Sequence, residues 1–402
     1  MQEYQPLDIV RFCNTGTSFI NPDAAPPVGR QTFHGLPFTI GAAEADSARC
    51  FIGFGGDAGN QDSITVPVES TACRILFAHA LLESYVLEGE NFGREIARYV
   101  FHYENGESVT VPIRERFEIG AVAPAQGGGA PFLAVADQKE QKAARYEGRW
   151  DLMGRRQAGD FRGMSRGYVL WAWKNPHPDS TITSVTIEPG DRKFFVSAIT
   201  LAHIDEPPFY RDGKRDVKIT LPQQKDAEKA FQLEVDVDRG VATFPFPLPA
   251  QTSDDFLDDD FKGWGETQND ASSPAYVEIA AIPSATVTVK NDGETLGQTQ
   301  WGDLQDKGSV DTPRVNFEVV DRGRNWVHVT VLDDETDRPV PCRVHFRSPE
   351  GIPYQPHGYH NQVNADLGSW HVDIGGDLKL GQITYAYIDG KCQGWLPRGE
   401  VI

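Results

Sequence analysis

Apolar residues in this chain recur mostly with a period of two, in short runs broken by glycine, proline, asparagine and aspartate. The 3.6-residue period of an amphipathic helix is scarce, so the pattern predicts β-strands joined by tight turns. In the first half, strands are predicted near residues 50–54, 73–80, 97–103, 108–112, 168–173, 182–187 and 194–201, a spacing that suits two packed sheets. The clearest hairpin is Tyr99-Val100-Phe101-His102-Tyr103, then Glu104-Asn105-Gly106-Glu107, then Val109-Thr110-Val111. Its Asn-Gly pair supplies the positive φ that a tight turn needs.

Residues 123–166 interrupt this rhythm with Gly127-Gly128-Gly129 and the charged run Gln138-Lys139-Glu140-Gln141-Lys142. A stretch this long without periodicity is predicted to be an insertion. After Glu206-Pro207-Pro208 the alternation resumes at 217–221, 231–237 and 285–290, the last followed by the turn Asn291-Asp292-Gly293. Asp254–Asp260 is expected to form an acidic, solvated loop. Toward the end, Val327–Leu332 and Val340–Phe346 flank the polar turn Asp333–Pro339 as a hairpin-like element, with further strands at 369–373 and 383–388. The final apolar residues, Glu400-Val401-Ile402, resemble the start of another strand, so this last sandwich is expected to be open at its end. Three β domains are predicted, over residues 1–205, 206–318 and 319–402, and no repeat of solenoid or propeller period occurs. The fold class is all-β.

Charge and cysteine content narrow the partners. With 58 acidic against 38 basic side chains the formal charge is −20, which repels both nucleic acid and anionic membrane surfaces. No apolar run approaches the ~18 residues of a membrane span. The start of the chain has no basic segment followed by an apolar one, so a secretory signal is not predicted. Five cysteines, widely spaced and without a Cys-x-x-Cys, fit buried reduced thiols in a cytoplasmic protein better than a disulfide framework or a zinc ribbon.

Candidate chemistry concentrates in two places. His357, His360, Asn361, Gln362, Asn364, Asp366, Trp370, His371 and Asp373 form the densest polar cluster. Of these, His357, His360, Trp370, His371 and Asp373 are ligand-binding candidates. His357, His360 and His371 are also weak candidates for a metal, since imidazoles suit zinc. Equally, they are ordinary hydrogen-bonded loop residues. Trp171 and Trp173, with Tyr168, are expected to share one face of a strand. That face could stack a sugar or form sandwich core, the second being favoured because large aromatics dominate buried area. His177 lies in the proline-rigid turn Asn175-Pro176-His177-Pro178-Asp179 that follows. Neither a phosphate loop, a dinucleotide fingerprint nor a nucleophile elbow is present, so no catalytic residue is assigned.

The runs DDETDRPVPCRVHFRSPEG, QPHGYHNQ and GSWHVDIGGDLKLGQITYAYIDGKCQGWLPRGEV together resemble the region ahead of the catalytic domain in metallohydrolases of the CehA/McbA type. The resemblance implies a transthyretin-like or carboxypeptidase-regulatory-like sandwich, followed in that family by a PHP domain whose His-x-His motif binds metal. No His-x-His occurs in these 402 residues. The chain is therefore expected to be the non-catalytic accessory and assembly part of such a hydrolase, which acts on carbamate or ester-type bonds. A zinc or manganese ion is expected only in a downstream or separate catalytic domain, and a homo-oligomer is in keeping with assembly. Two further runs, GRQTFHGLPFTIG and WAWKNPHPDSTITSVTIE, resemble galactose-binding-like jelly rolls. They imply the alternative function of a carbohydrate-binding protein with a glycan as partner.

Overall fold

The computed structural model describes residues 2–56, 59–122, 131–139, 165–211, 215–243, 245, 247–248, 252–258, 271–320, 323, 325–352, 354 and 388–402. For 141–142, 160–161, 246, 353, 378–380 and 383–387 it describes the backbone alone. The chain divides into two compact units, residues 1–139 with 162–210, and residues 140–161 with 211–402. Strand dominates over helix, in several open sheets, and the fold is all-β. No helix among the described residues is long and apolar enough to cross a membrane.

The first unit contains β1 (Tyr4–Pro6), β2 (Gly29–Phe33), β3 (Leu36–Ile40), β4 (Ile52–Phe54), β5 (Ile64–Ser70), β6 (Arg74–Leu81), β7 (Glu95–Tyr103), β8 (Ser108–Arg114) and β9 (Val135–Ala136). After the short ribbon of β10 (Gln141–Lys142) and β11 (Asp160–Phe161), assigned to the second unit, come β12 (Val169–Lys174), β13 (Ile182–Pro189) and β14 (Phe194–Ala202). One sheet runs β1-β14-β6-β12-β9, with β4 also on β14, and another runs β5-β13-β7-β8. Each of the seven predicted runs of this half overlaps one of these strands.

Two kinds of sequence pattern map onto two kinds of strand. Every residue of β14, FFVSAITLA, is buried, as is all of β6 after Arg74. These runs carry no clean alternation because the sheet they form is covered on both faces. One cover is the β5-β13-β7-β8 sheet: Trp173 stacks on Phe101 at 3.6 Å with the planes 5° apart, and Phe77 meets Tyr99 at 4.8 Å. The other is the β2–β3 hairpin with the residues near Phe51. There Phe51 stacks on Phe195 at 4.3 Å, and Tyr168 lies 5.7 Å from Phe33. Tyr168 thus occupies the face opposite Trp171 and Trp173, not their own face as expected, because it lies an odd number of positions, three, before Trp171 and strand side chains alternate.

Turn chemistry sets the hairpins. His34 and Gly35 have φ of 52° and 79°, the two left-handed residues of a two-residue loop between β2 and β3. In the β7–β8 hairpin only Gly106 takes a positive φ, 84°, while the Asn105 side chain accepts from the N–H of Glu107. Strand β5 was not legible as a strand because Pro67 interrupts it. It is an edge strand, where a missing N–H costs no ladder bond. Asp137, buried, accepts from the N–H groups of Arg166, Gly167 and Tyr168 at 2.7, 3.0 and 3.0 Å, and so closes the base of the expected insertion.

The second unit begins with β15 (Arg215–Thr220), α1 (Gln224–Ala227), β16 (Leu233–Val237), β17 (Gly240–Ala242), β18 (Phe246–Pro247), α2 (Ser253–Asp258) and β19 (Ala275–Ala281). It continues through β20 (Thr286–Asn291), β21 (Glu294–Gln300), α3 (Trp301–Lys307), β22 (Ser309–Asp311) and β23 (Asn316–Val320). A β17-β19-β15-β23-β22 sheet and a β16-β20-β21 sheet share a core that includes Val217, Val277, Val287, Trp301 and Phe317. Asp292 and Gly293, with φ of 51° and 76°, make the predicted turn. The expected acidic loop is in part a helix, α2. Thr252 Oγ1 accepts from the Asp255 N–H while the Asp255 carboxylate accepts from the Thr252 N–H, a reciprocal cap that the Thr-x-x-Asp spacing encodes. Buried Asp226 takes both Nε and Nη2 of Arg314, which holds its carboxyl below the usual range.

Beyond residue 320 lie β24 (Asn325–Thr330), β25 (Cys342–Val344), β26 (Phe346–Arg347), β27 (Pro353–Tyr354), β28 (Leu378–Leu380), β29 (Ile383–Ile388) and β30 (Lys391–Leu396). The expected pairing of 327–332 with 340–346 is confined to the turn, with a Leu332–Pro339 bridge and a Val340 N–H to Val331 O bond. Pro339 and Pro341 have no N–H to extend it. Instead β24 pairs with β30 and β25 with β29.

Between the two main sheets of the first unit lies one fully buried histidine. His79 Nδ1 accepts from the Tyr99 hydroxyl at 2.9 Å, and Nε2 donates to Glu118 O at 3.0 Å, so the ring is neutral. Burial lowers its pKa to about 4 against 6.5 when free, the Glu118 bond opposing the shift. The folded pKa lies below the unfolded one, so this contribution is complete above about pH 6.5 and lost as pH falls toward 4. The loss is on the order of 3 kcal/mol. Urea unfolding at pH 7 and pH 4.5 should show a smaller acid-induced loss of stability in His79→Gln than in the wild type; equal losses would remove His79 as the cause.

Candidate functional site

The ladder of the first unit fixes which loops meet. Phe194 pairs with both Leu81 and Phe54, Glu95 with Arg114, and Pro189 with Ala97. The described residues 55–56, 59–63, 82–94, 115–122, 131–134 and 190–193 therefore gather at one end of the two sheets. Bonds between them tie this end together: the Leu81 N–H donates to Gly120 O, the Gly190 N–H to Ile96 O, and the Lys193 N–H to the Glu83 carboxylate.

Arginines and aromatic rings interleave across this end. The Arg116 guanidinium lies 5.5 Å from the Phe92 ring and 5.9 Å from the Phe132 ring, and Phe132 meets Phe117 at 5.3 Å. Arg114 lies over Phe117 at 4.7 Å and forms a fork onto Glu118 at 3.1 and 2.6 Å. Arg192 lies over Tyr85 at 4.3 Å and donates to both Glu90 oxygens, while Arg94 bridges Glu90 and Asp191. Of the ten exposed large hydrophobics among the described residues, five are here: Tyr85, Leu87, Phe92, Phe132 and Leu133. Such a concentration makes this end the candidate site, since scattered exposed apolar residues are ordinary and clustered ones are not.

Two local anomalies fall side by side in the same stretch. Arg116 has φ of 70°, a left-handed conformation that a long side chain adopts at a cost. Glu115, next to it, is 1% exposed, and neither carboxylate oxygen has a hydrogen-bond partner. Its backbone is fully engaged, with the N–H donating to Arg94 O and the C=O accepting from the Gly93 N–H.

The residues singled out from sequence lie elsewhere. His357, His360, Trp370, His371 and Asp373 are outside the described residues. Trp171 and Trp173 are buried against Phe77 and Phe101, so neither ring is open to a sugar. His177 is exposed at the opposite end, in a turn built by buried Asn175, whose Oδ1 accepts from the His177 N–H and, at 2.5 Å, from the Tyr103 hydroxyl. It meets Tyr103 edge-on. No group of three or more His, Cys, Asp or Glu gathers among the described residues. The loop-end set was missed because nothing in a period-two pattern separates an exposed phenylalanine on a loop from a buried one. The dense Arg114-Glu115-Arg116-Phe117-Glu118 run was its visible trace.

Truncating the two classes of aromatic should separate them. Trp173→Ala should cost about 3–5 kcal/mol of unfolding free energy. Phe92→Ala and Phe132→Ala should stay within about 0.5 kcal/mol of wild type. Chemical denaturation measures both, and a large loss in either phenylalanine variant would place that ring in the core.

Compared with known protein families, curated proteins and solved structures, the chain matches none.

Proposed function

We propose that the chain is a non-catalytic binding region whose first unit holds a carbohydrate at the loop end. The observation that carries this is the clustering of exposed rings with arginines around Phe92, Arg116 and Phe132. Sugar rings offer C–H faces to aromatics and hydroxyls to guanidinium and carboxylate groups, the mixture assembled here. The galactose-binding-like resemblance of GRQTFHGLPFTIG and WAWKNPHPDSTITSVTIE points the same way, and a jelly-roll arrangement of the first unit belongs to this reading. The site is displaced from Trp171 and Trp173 to the loops. On a glycan array, and by calorimetry on the hits, the wild type should bind and the Phe92→Ala/Phe132→Ala double variant should bind at least ~10-fold more weakly, a loss of about 1.4 kcal/mol. Absence of any glycan ligand for the wild type would sink the proposal.

A second reading, an accessory and assembly region of a CehA/McbA-like hydrolase, is favoured by one feature of residues 319–402. Strand β24 has no buried residue, and the cross-strand pair Trp326 and Trp395 is exposed, the rings 5.1 Å apart and nearly perpendicular. Edge-to-face contact helps hold a two-stranded ribbon together. It also leaves large apolar area for a catalytic domain to cover, and that domain would supply the metal-activated water that cleaves a carbamate or ester. The transthyretin-like sandwich, the division at 318/319, a cytoplasmic location and homo-oligomer formation belong to this reading. The coding sequence immediately after residue 402 tests it: a His-x-His segment of PHP type is the expected finding, and a stop codon there with no separately encoded partner would refute it.

A further inference from the structure

Among the described residues of the first unit, Glu115 is the one carboxylate with both oxygens buried and unpartnered. Both of its oxygens are enclosed without a donor, a condition that destabilises the folded chain by the unrecovered desolvation of the carboxyl. The protein offers donors in abundance close by. Arg114 is committed to Glu118, and Arg94 and Arg192 are committed to Glu90. The backbone around Glu115 is anchored on Arg94 and Gly93, so the residue cannot slide out to solvent without breaking that ladder. Next to it, Arg116 holds a left-handed φ and presents its guanidinium to two exposed rings. An unsatisfied buried acceptor next in sequence to a strained residue whose guanidinium meets exposed rings is the signature of stability given up for recognition.

Resting on the carbohydrate reading above, we propose that Glu115 is the polar anchor of the loop-end site, its two carboxylate oxygens accepting two hydroxyls of a neutral sugar. A vicinal diol carries two O–H donors side by side, the complement of a carboxylate with both oxygens open. Charges of both signs interleave at this end, which favours a neutral ligand over a strongly ionic one. A divalent cation would ask for several carboxylates or carbonyls around it, and one side chain does not make that shell. With the carboxyl 1% exposed in the free protein, a ligand reaches it only when surface side chains part, so binding should be slow relative to diffusion.

The test uses the full chain with Glu115→Gln and Glu115→Leu. The probes are a panel of neutral mono- and disaccharides, glucosamine, and calcium chloride, read by calorimetry and by melting temperature. Glu115→Gln should weaken neutral-sugar binding at least ~10-fold, and Glu115→Leu should abolish it. Glu115→Leu should also melt a few degrees higher than wild type, because the unsatisfied acceptor is gone. Sugar binding unchanged in both variants, but lost in the Phe92→Ala/Phe132→Ala protein, would overturn the role of Glu115 and leave the binding surface standing. A lower melting temperature in Glu115→Leu would overturn it too, by showing a structural carboxylate. Binding of glucosamine or calcium alone would refute the neutral-diol class, and a wild type that binds no sugar would remove this inference together with the surface it rests on.

Discussion

Burial of β6 and β14 on both faces is the constraint on which the first unit depends. A sheet covered twice cannot present side chains to a ligand from its middle. Its apolar residues are spent on packing against the β2–β3 hairpin on one side and the β5-β13-β7-β8 sheet on the other. Trp171, Trp173, Phe77 and Phe101 all fall inside that packing, and so does His79, kept neutral by its two hydrogen bonds. A binding site of the kind proposed is thereby left to the loops, and the antiparallel ladder brings four of them to the same end. The loop surface is a consequence of the core, since the registers that stack Trp173 on Phe101 also set Glu95 beside Arg114.

Much of the strand content was legible because period-two alternation and Gly, Asn and Asp turns report local geometry directly. The hairpin at Gly106 and the turn at Asp292-Gly293 are encoded within a few residues. Three features were not legible, each for a definable reason. Pro67 disguised β5, because an edge position that tolerates proline is a property of the sheet and not of the run. The acidic stretch at 253–258 concealed a helix behind its charge, although the Thr252-x-x-Asp255 cap was there to be read. Pairing of β24 with β30, about sixty residues along the chain, depends on long-range contacts that no local pattern announces.

The candidate site was still less legible. Burial, which separates Trp171 from Phe92, is decided by sheet order and strand register, and the sequence carries only the residue types. Glu115 illustrates the limit: within Arg114–Glu118 it reads as one more surface charge, yet it is buried, as Glu118 is, and unlike Glu118 its carboxylate has no hydrogen-bond partner. Arg116 would not be singled out either, because its left-handed conformation answers to the bonds that Phe132 and Ile119 make with its backbone.

Hydrogen–deuterium exchange of the full chain, with and without a bound saccharide, tests the central claim most directly. The account predicts that added protection falls on residues 85–94, 115–119 and 131–133, with β6 and β14 already slow in both states. Protection centred instead on the 174–181 turn or on the β24–β30 ribbon, with the loop end unchanged, would contradict it.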